Sequence, residues 1–280
     1  MRSIIEREAR LREWFTRAGD PVQKAVDGLD IGWGGVQRWA TAQITLPAAG
    51  RHLDVACGYA TFLAQLGWRF PTARLVGLNI DFAGPQALAR PLLTEAGVRA
   101  ELVQADARQM PFAEGAFESV SCFLGLQDIA IAFGEEGVRA AVAEAVRVLR
   151  PGGVLALLDE FDAERFAALF AGLPVVVVGR GERSLDVRWD RPVAERAIAL
   201  YAEGWVAQTR ATDRAAQEQI RGEVHSRMLA EMEHQLAAQG YYVPFGPVRL
   251  VVAQRRPDAA LLTGRGLRTI LAVLEGEERA

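Results

Sequence analysis

The stretch from His52 to Thr61, His-Leu-Asp-Val-Ala-Cys-Gly-Tyr-Ala-Thr, constrains this chain more than any other. Leu53 to Ala56 is a mostly apolar run that reads as a buried strand. Gly58 follows in a turn of small residues, and Thr61 to Arg69 then reads as a helix. A strand, a small-residue turn and a helix in direct succession set the unpaired amides of the helix N-terminus where a nucleotide can lie against them. The backbone must approach such a ligand closely, which only small side chains allow. An ordinary tight strand–helix turn has the same composition, so the surrounding pattern has to decide.

That pattern repeats the unit. Leu75–Asn79, Ala100–Gln104, Phe117–Leu124 and Val154–Asp159 read as further strands. Phe82–Ala96 and Glu135–Leu149 read as helices between them, the second stopped by Arg150-Pro151-Gly152-Gly153. Apolar strands separated by helices imply an α/β fold: a doubly wound, mostly parallel sheet covered on both faces. Ligands in such sheets gather beyond the carboxyl ends of the strands. The residues there are Cys57–Ala60, Asn79–Asp81, Asp106–Ala107, Leu124–Asp128 and Asp159–Asp162.

The flanks are less regular. Residues 3–18 carry Ile4, Ile5, Leu11, Trp14 and Phe15 at helical spacing, Asp20-Pro21 starts a second helix, and Val36–Thr45 reads as a third. The glycine-rich loop 28–35 around Trp33 is either a lid over the site or a joint whose tryptophan packs on the core. Val175–Val178 and Leu185–Trp189 flank Gly179–Arg183 and read as a hairpin. Residues 191–207 and 211–239 read as helices, the latter with Ile220, Val224, Met228, Met232 and Leu236 on one face. Tyr241–Phe245 and Val248–Gln254 read as a second, closing hairpin, and 259–275 as a tail helix. The expected division is 1–46 for N-terminal helices and lid loop, 47–160 with 241–257 for the core, 161–240 for an insertion covering the site, and 258–280 for a C-terminal helix. The last strand is expected to be antiparallel.

Composition excludes several classes. At 280 residues, half of them apolar, the chain can bury a sizeable core. A net charge of −3 argues against a nucleic-acid partner, and Lys24 is the only lysine, so the arginine count reflects codon bias rather than a phosphate-binding surface. No apolar run reaches the ~20 residues of a membrane span. Cys57 and Cys122 are too few for a disulfide framework and lack neighbours for a metal site, so a reducing cytoplasm is expected.

Four segments then combine: Leu53-Asp54-Val55-Ala56-Cys57-Gly58, Val76-Gly77-Leu78-Asn79-Ile80-Asp81, Gln104-Ala105-Asp106-Ala107 through Met110-Pro111-Phe112, and Val148-Leu149-Arg150-Pro151-Gly152-Gly153. In this order and spacing the chain resembles the Rossmann-like, class I S-adenosylmethionine-dependent methyltransferases. It is most similar to the branch acting on sugars, sterols and other small natural products. The resemblance implies S-adenosyl-L-methionine as cofactor and in-line methyl transfer to a small-molecule acceptor. It also implies roles. Asp54 would meet the cofactor's ammonium group, and Ala56 and Gly58 would form the close-approach loop. Asn79 or Asp81, flanking Ile80, would hold the ribose. Asp106 would bond the adenine amino group, and Ala107 would offer a backbone N–H. Phe123 and Trp33 would border the methyl. Asp128 is the first candidate base or orienter, with Gln127 beside it; the alternative for Asp128 is an N-cap of a short helix at 129–133. Glu160, Tyr201 and Trp205 would face the acceptor, with Trp189 walling the same pocket and Arg180, Arg183 and Arg188 available to an anionic group. The chain departs from the family at Asn79, where an acid is usual, and at Ala56 and Ala60, where glycines are usual. His52 starts strand one, on the side away from the chemistry, and His225 and His234 on the long helix are minor catalytic candidates. Neither a metal, a nucleic acid nor a membrane is implied, and a homodimer is allowed. Two other classes stay open: a non-catalytic subunit binding S-adenosylmethionine or its product, and a nicotinamide-dependent oxidoreductase, which would want a fuller glycine triplet.

Overall fold

The computed structural model describes residues 3–18, 34–184, 188–209 and 211–257. In chain order the elements are α1 (Ile4–Arg17), α2 (Gly34–Thr41), β1 (Arg51–Val55), α3 (Thr61–Arg69), β2 (Arg74–Asn79), a 3-10 turn (Gly84–Leu88), α4 (Ala89–Ala96) and β3 (Ala100–Gln104). Then come β4 (Phe117–Phe123), α5 (Leu126–Val148), β5 (Leu149–Asp159), α6 (Ala163–Phe170), β6 (Val175–Arg183), α7 (Arg191–Thr209), α8 (Arg214–Gln239) and β7 (Val248–Arg255).

The seven strands form one sheet in the order β3-β2-β1-β4-β5-β7-β6. β1 to β5 pair in parallel, and β7 runs antiparallel to both of its neighbours, β5 and β6. This is the doubly wound, Rossmann-like α/β sheet. The strand order turns back between β1 and β4, which opens a crevice at their carboxyl ends.

Both faces are covered, as the apolar strands require. On one face Leu53, Val55, Val120, Leu155 and Leu157 pack with Val138, Val142 and Val146 of α5 and Phe166 of α6. On the other, Ala156 and Leu158 pack with Leu63 and Leu66 of α3, Ile198 of α7 and Met232 of α8. Each fully buried side chain of this size contributes about 1.5–3 kcal/mol. α1 starts with a capping box, Ser3 and Glu6 bonding each other's backbone N–H, and is anchored by Leu11 and Phe15 against Tyr59, Trp68 and Leu92.

Several expected elements differ. The turn expected at Gly179–Arg183 does not form, because Val175–Arg183 is one continuous strand; residues 185–187 lie outside the described residues. Gly179 and Gly181, read as turn residues, pair with Val252 and Leu250 instead. A Cβ on Gly181 would lie 2.4 Å from the Trp39 ring, so this glycine serves close packing rather than a turn. The closing hairpin is absent too: Tyr242 makes only an isolated bridge to Trp189, and β7 inserts between β5 and β6. The block 161–240 therefore supplies α6 and the edge strand β6 as well as α7 and α8. The helix expected from Glu135 starts at Leu126, with a break at Gly134 (φ 67°, ψ −174°). Asp128 lies in its first turn, and Gly125 is the cap, so the short capped helix at 129–133 does not exist as such. The helix begun at Asp20-Pro21, Trp33 with most of its loop, and the tail helix lie outside the described residues.

α5 is held at its far end by β7. The buried Arg255 donates from Nη1 to the carbonyls of Val146, Arg147 and Leu149 at 3.3, 2.9 and 2.6 Å, and from Nη2 to Glu114 at 2.5 Å. These are carbonyls that a helix leaves unpaired at its C-terminus.

Candidate functional site

The loop after β1 alternates in handedness. Ala56, Gly58 and Ala60 have φ of 54°, 49° and 65°. The curl is closed by Cys57 N–H donating to Leu78 O at 3.0 Å and Ala60 N–H to Cys57 O at 2.7 Å. Left-handed backbone costs a residue with a Cβ about 1–2 kcal/mol, so the two alanines are the smallest departures from glycine the loop admits. Opposite this loop, a Cβ on Gly125 would lie 2.5 Å from the Ala56 Cβ. The loops after β1 and β4 thus interlock at van der Waals contact.

The start of α5 has no side-chain cap of its own. Asp159, at the end of β5, takes that role: Oδ2 accepts from the N–H of Leu126 (2.9 Å) and Gln127 (3.2 Å), and Oδ1 from the N–H of Glu160 (2.9 Å). Burial pushes the Asp159 carboxyl up to about 6, against the pull of those three amides. Glu160 accepts from Gly246 N–H at 2.8 Å, and burial pushes it to about 7. Two carboxyls poised near neutrality therefore stand together beyond β5.

These pieces border one cavity of about 930 Å3. Its walls come from the β1 loop, the ends of β4 and β5, the first turns of α5, and from α7, α8 and the segment 242–245. Of the residues singled out from sequence, Asp54, Ala56, Gly58, Phe123, Gln127, Asp128, Glu160, Tyr201 and Trp205 line it. Phe62 stacks on Phe123 at 4.7 Å between ring centroids, and Tyr201 meets Phe245 edge-on at 5.9 Å. Asn79, Ile80, Asp81, Asp106 and Ala107 do not line it; Asn79 ends the neighbouring strand β2, and the others follow β2 and β3. There Asn79 Nδ2 donates to Asp81 O (2.6 Å), and Asp81 Oδ1 accepts from Ala83 N–H (3.1 Å). Asp106 binds Arg108 with both oxygens, at 3.0 and 2.6 Å.

The rest of the expected pocket rearranges. Trp189 is buried behind the wall against Tyr242 and Phe245. Arg183 stacks on Trp39 and Arg188 on Tyr241, while Arg180 borders a separate 290 Å3 hollow between α6, β6 and β7. Among the described residues, the cation that does border the cavity is Arg227 of α8, 5.6 Å above the Trp205 ring. It is one arginine among many, and only the position of α8 singles it out. His225 and His234 are not cavity residues. His52 stays at the amino end of β1 and outside the cavity lining, as expected. It is fully buried and bonded to Ser121, whose hydroxyl donates to Asp54 at 2.5 Å, so hydrogen bonds link it to the cavity wall. Its signal was legible: His52, Asp54, Ser119 and Ser121 put polar side chains at alternate positions of two strands that should be apolar on both faces.

Residues 53–153 match a family model described as a methyltransferase domain. A demethylmenaquinone methyltransferase from Thermus thermophilus is 34% identical over 133 residues, 46% of this chain and 57% of that enzyme. The ubiquinone/menaquinone biosynthesis C-methyltransferase UbiE of Geotalea daltonii is 29% identical over 142 residues, 50% of this chain and 56% of that one. The chain thus spans little more than half the length of these curated relatives. Among solved structures, geranyl diphosphate C-methyltransferase from Streptomyces coelicolor, in complex with S-adenosyl-L-homocysteine, gives a TM-score of 0.51 at 11% identity over 89% of this chain and 98% of that one. The [4+2]-cyclase SpnF gives 0.53 at 16% identity over 80% of each chain. At such identities the likeness is one of fold, which does not by itself fix the reaction. Taken with the match over residues 53–153, the central part of this chain is similar in sequence to methyltransferase domains and carries the Rossmann-like fold of the class I S-adenosylmethionine-dependent methyltransferases.

Proposed function

We propose that this protein transfers a methyl group from S-adenosylmethionine to a small, flat and largely apolar acceptor. The observation that carries the reading is the continuity of the cavity. One volume of about 930 Å3 includes both the Asp54–Gly58 loop and the aromatic surface of Tyr201, Trp205 and Phe245. That is the upper end of ordinary ligand sites, with room for the methyl-bearing end of a cofactor and an acceptor together. The curated relatives are named for methylating demethylmenaquinone, and an aromatic wall suits a flat ring of that kind.

The chain's own residues fit the cofactor. Asp54 offers a buried carboxylate to an ammonium group, and the Ala56–Ala60 turn keeps side chains out of the ligand's way. Asn79, whose side-chain N–H is engaged by Asp81 O, offers its carbonyl oxygen to a ribose hydroxyl, with Asp81 as the charged alternative beyond Ile80. Asp106, oriented by Arg108, and the backbone of Ala107 face the base. Bound there, the cofactor supplies an electrophilic methyl group on a sulfonium. The protein's part is alignment and exclusion of water. Phe123 and Phe62 form a dry floor, Gln127 and Asp128 orient the acceptor from α5, and Tyr201 and Trp205 cover it. Glu160, near half-ionised at neutral pH, takes a proton from any acceptor whose nucleophile carries one.

Titration calorimetry with S-adenosylmethionine and S-adenosylhomocysteine tests the reading. Binding in the micromolar range, about −8 kcal/mol, is expected. At a hundredfold excess over Kd, unfolding should then cost about 2.7 kcal/mol more. Gly58→Val should remain folded and lose binding. No heat and no thermal stabilisation from either ligand overturns the reading. Tight binding without turnover over a panel of ring acceptors favours a non-catalytic, cofactor-binding subunit.

A further inference from the structure

We infer that His52, Ser119 and Ser121 form a directional relay that positions the Asp54 carboxylate for the cationic amino-acid end of the cofactor. The inference rests on the cofactor reading above and goes beyond it by assigning three residues that never touch the ligand.

The placement follows from register. β1 and β4 run in parallel with His52 opposite Ser119 and Asp54 opposite Ser121. Side chains two apart in a strand share a face, so all four polar groups stand on one face of the sheet. All four are buried, none more than 1% exposed. Polar groups so deep must be bonded, and these are bonded to one another. His52 Nδ1 pairs with Ser119 Oγ, His52 Nε2 lies 2.9 Å from Ser121 Oγ, and Ser121 Oγ lies 2.5 Å from Asp54 Oδ1.

Chemistry then fixes the direction. An ionised carboxylate only accepts, so the Ser121 hydroxyl donates to Asp54. Ser121 oxygen must accept in turn, which places the imidazole proton on Nε2. His52 Nδ1 is then an acceptor, and the Ser119 hydroxyl donates to it. Every dipole in the chain points its positive end toward Asp54, an arrangement in which successive bonds strengthen one another. Burial holds the His52 ring far below its ordinary range, at about 3, so it stays neutral and the direction does not reverse at physiological pH. Valine at 52, 119 and 121 would fill the same strands without burying polar groups. Asp54, the end of the relay, is its member on the cavity wall.

The test compares two ligands on the full-length protein by calorimetry. S-adenosylhomocysteine carries the ammonium group, whereas 5′-methylthioadenosine has the nucleoside thioether without the amino-acid end. Ser121→Ala and His52→Leu should weaken S-adenosylhomocysteine on the order of tenfold, as loss of outer-shell support does elsewhere, while methylthioadenosine changes by less than about twofold. His52→Gln, which can accept from Ser119 and donate to Ser121, should restore most of the loss. Nitrogen NMR of the wild type should find His52 protonated on Nε2 between pH 6 and 8. Equal weakening of both ligands would mark a general structural role and overturn the relay. Unchanged affinity in Ser121→Ala, or a proton on Nδ1, would overturn it as well. If the wild type binds neither ligand, the cofactor reading fails first and the relay with it.

Discussion

Ala56 and Ala60 hold left-handed backbone angles in a turn that a ligand must approach closely. Ala60 also caps α3, with φ 65° and ψ 23°, and makes no side-chain bond there. Its methyl group brings backbone cost without a polar contact in return. Ala60→Gly should therefore stabilise the protein by about 0.5–1 kcal/mol, the left-handed penalty less the extra chain entropy of glycine. Chemical denaturation measures it; a loss of stability would mean that the buried methyl's packing outweighs the strain. Gly125→Ala should act in the opposite sense, since its new Cβ meets that of Ala56. A loss of about 1–3 kcal/mol is expected, together with weaker cofactor binding. At this scale much was legible. The small residues of the β1 loop announce themselves by type. The need for glycine at 125 does not, because its reason is a residue far away in sequence.

α5 shows what an element cannot say about itself. Read alone, its sequence gives a helix that starts at Glu135. In the fold, Leu126–Phe133 continue the helix across the break at Gly134, since Asp159 bonds its first amides and Arg255 its last carbonyls. Both partners come from other strands, so no local signal points to them. The hairpins failed for a related reason. Glycine in Gly179–Arg183 answers to Trp39 and β7, not to a turn. The alternation of strands β1 to β5, by contrast, was plain, because parallel strands buried on both faces need continuous apolar runs. Arg255→Met keeps the volume but abandons three carbonyls and Glu114. It should cost about 2–4 kcal/mol, read as a lower urea midpoint with an unchanged slope. An unchanged midpoint would show that the carbonyls find other donors.

Over the whole molecule, buried ionisable groups set opposing pH dependences. His52 is depressed from 6.5 to about 3, so the stability its neutral form contributes is present above pH 6.5 and lost as pH falls toward 3. Asp159 is raised from 3.8 to about 6, so the stability its neutral form contributes is present below pH 3.8 and lost as pH rises through 6. Between about pH 6 and 4 the two trends offset each other. His52→Gln removes one of them. Relative to wild type, the variant should gain stability as pH falls below 6.5, by up to ~1.4 kcal/mol per pH unit. Urea titrations at pH 7, 6 and 5 check this, and parallel curves would refute the assignment. Asp54 and the cavity's carboxyls could be placed from sequence in part, but Ser121 could not, nor could the joining of α7 and α8 to the site, because helices of that length carry no mark of where they dock. The placement of β7 has a consequence in time as well as in space. It is the last described strand to be synthesised, yet it fills the gap between β5 and β6. Until residue 255 has left the ribosome, both neighbours present open edges, and the contact that joins them has a long separation along the chain. A nascent chain halted before Val248 is therefore the form most exposed to edge-to-edge association.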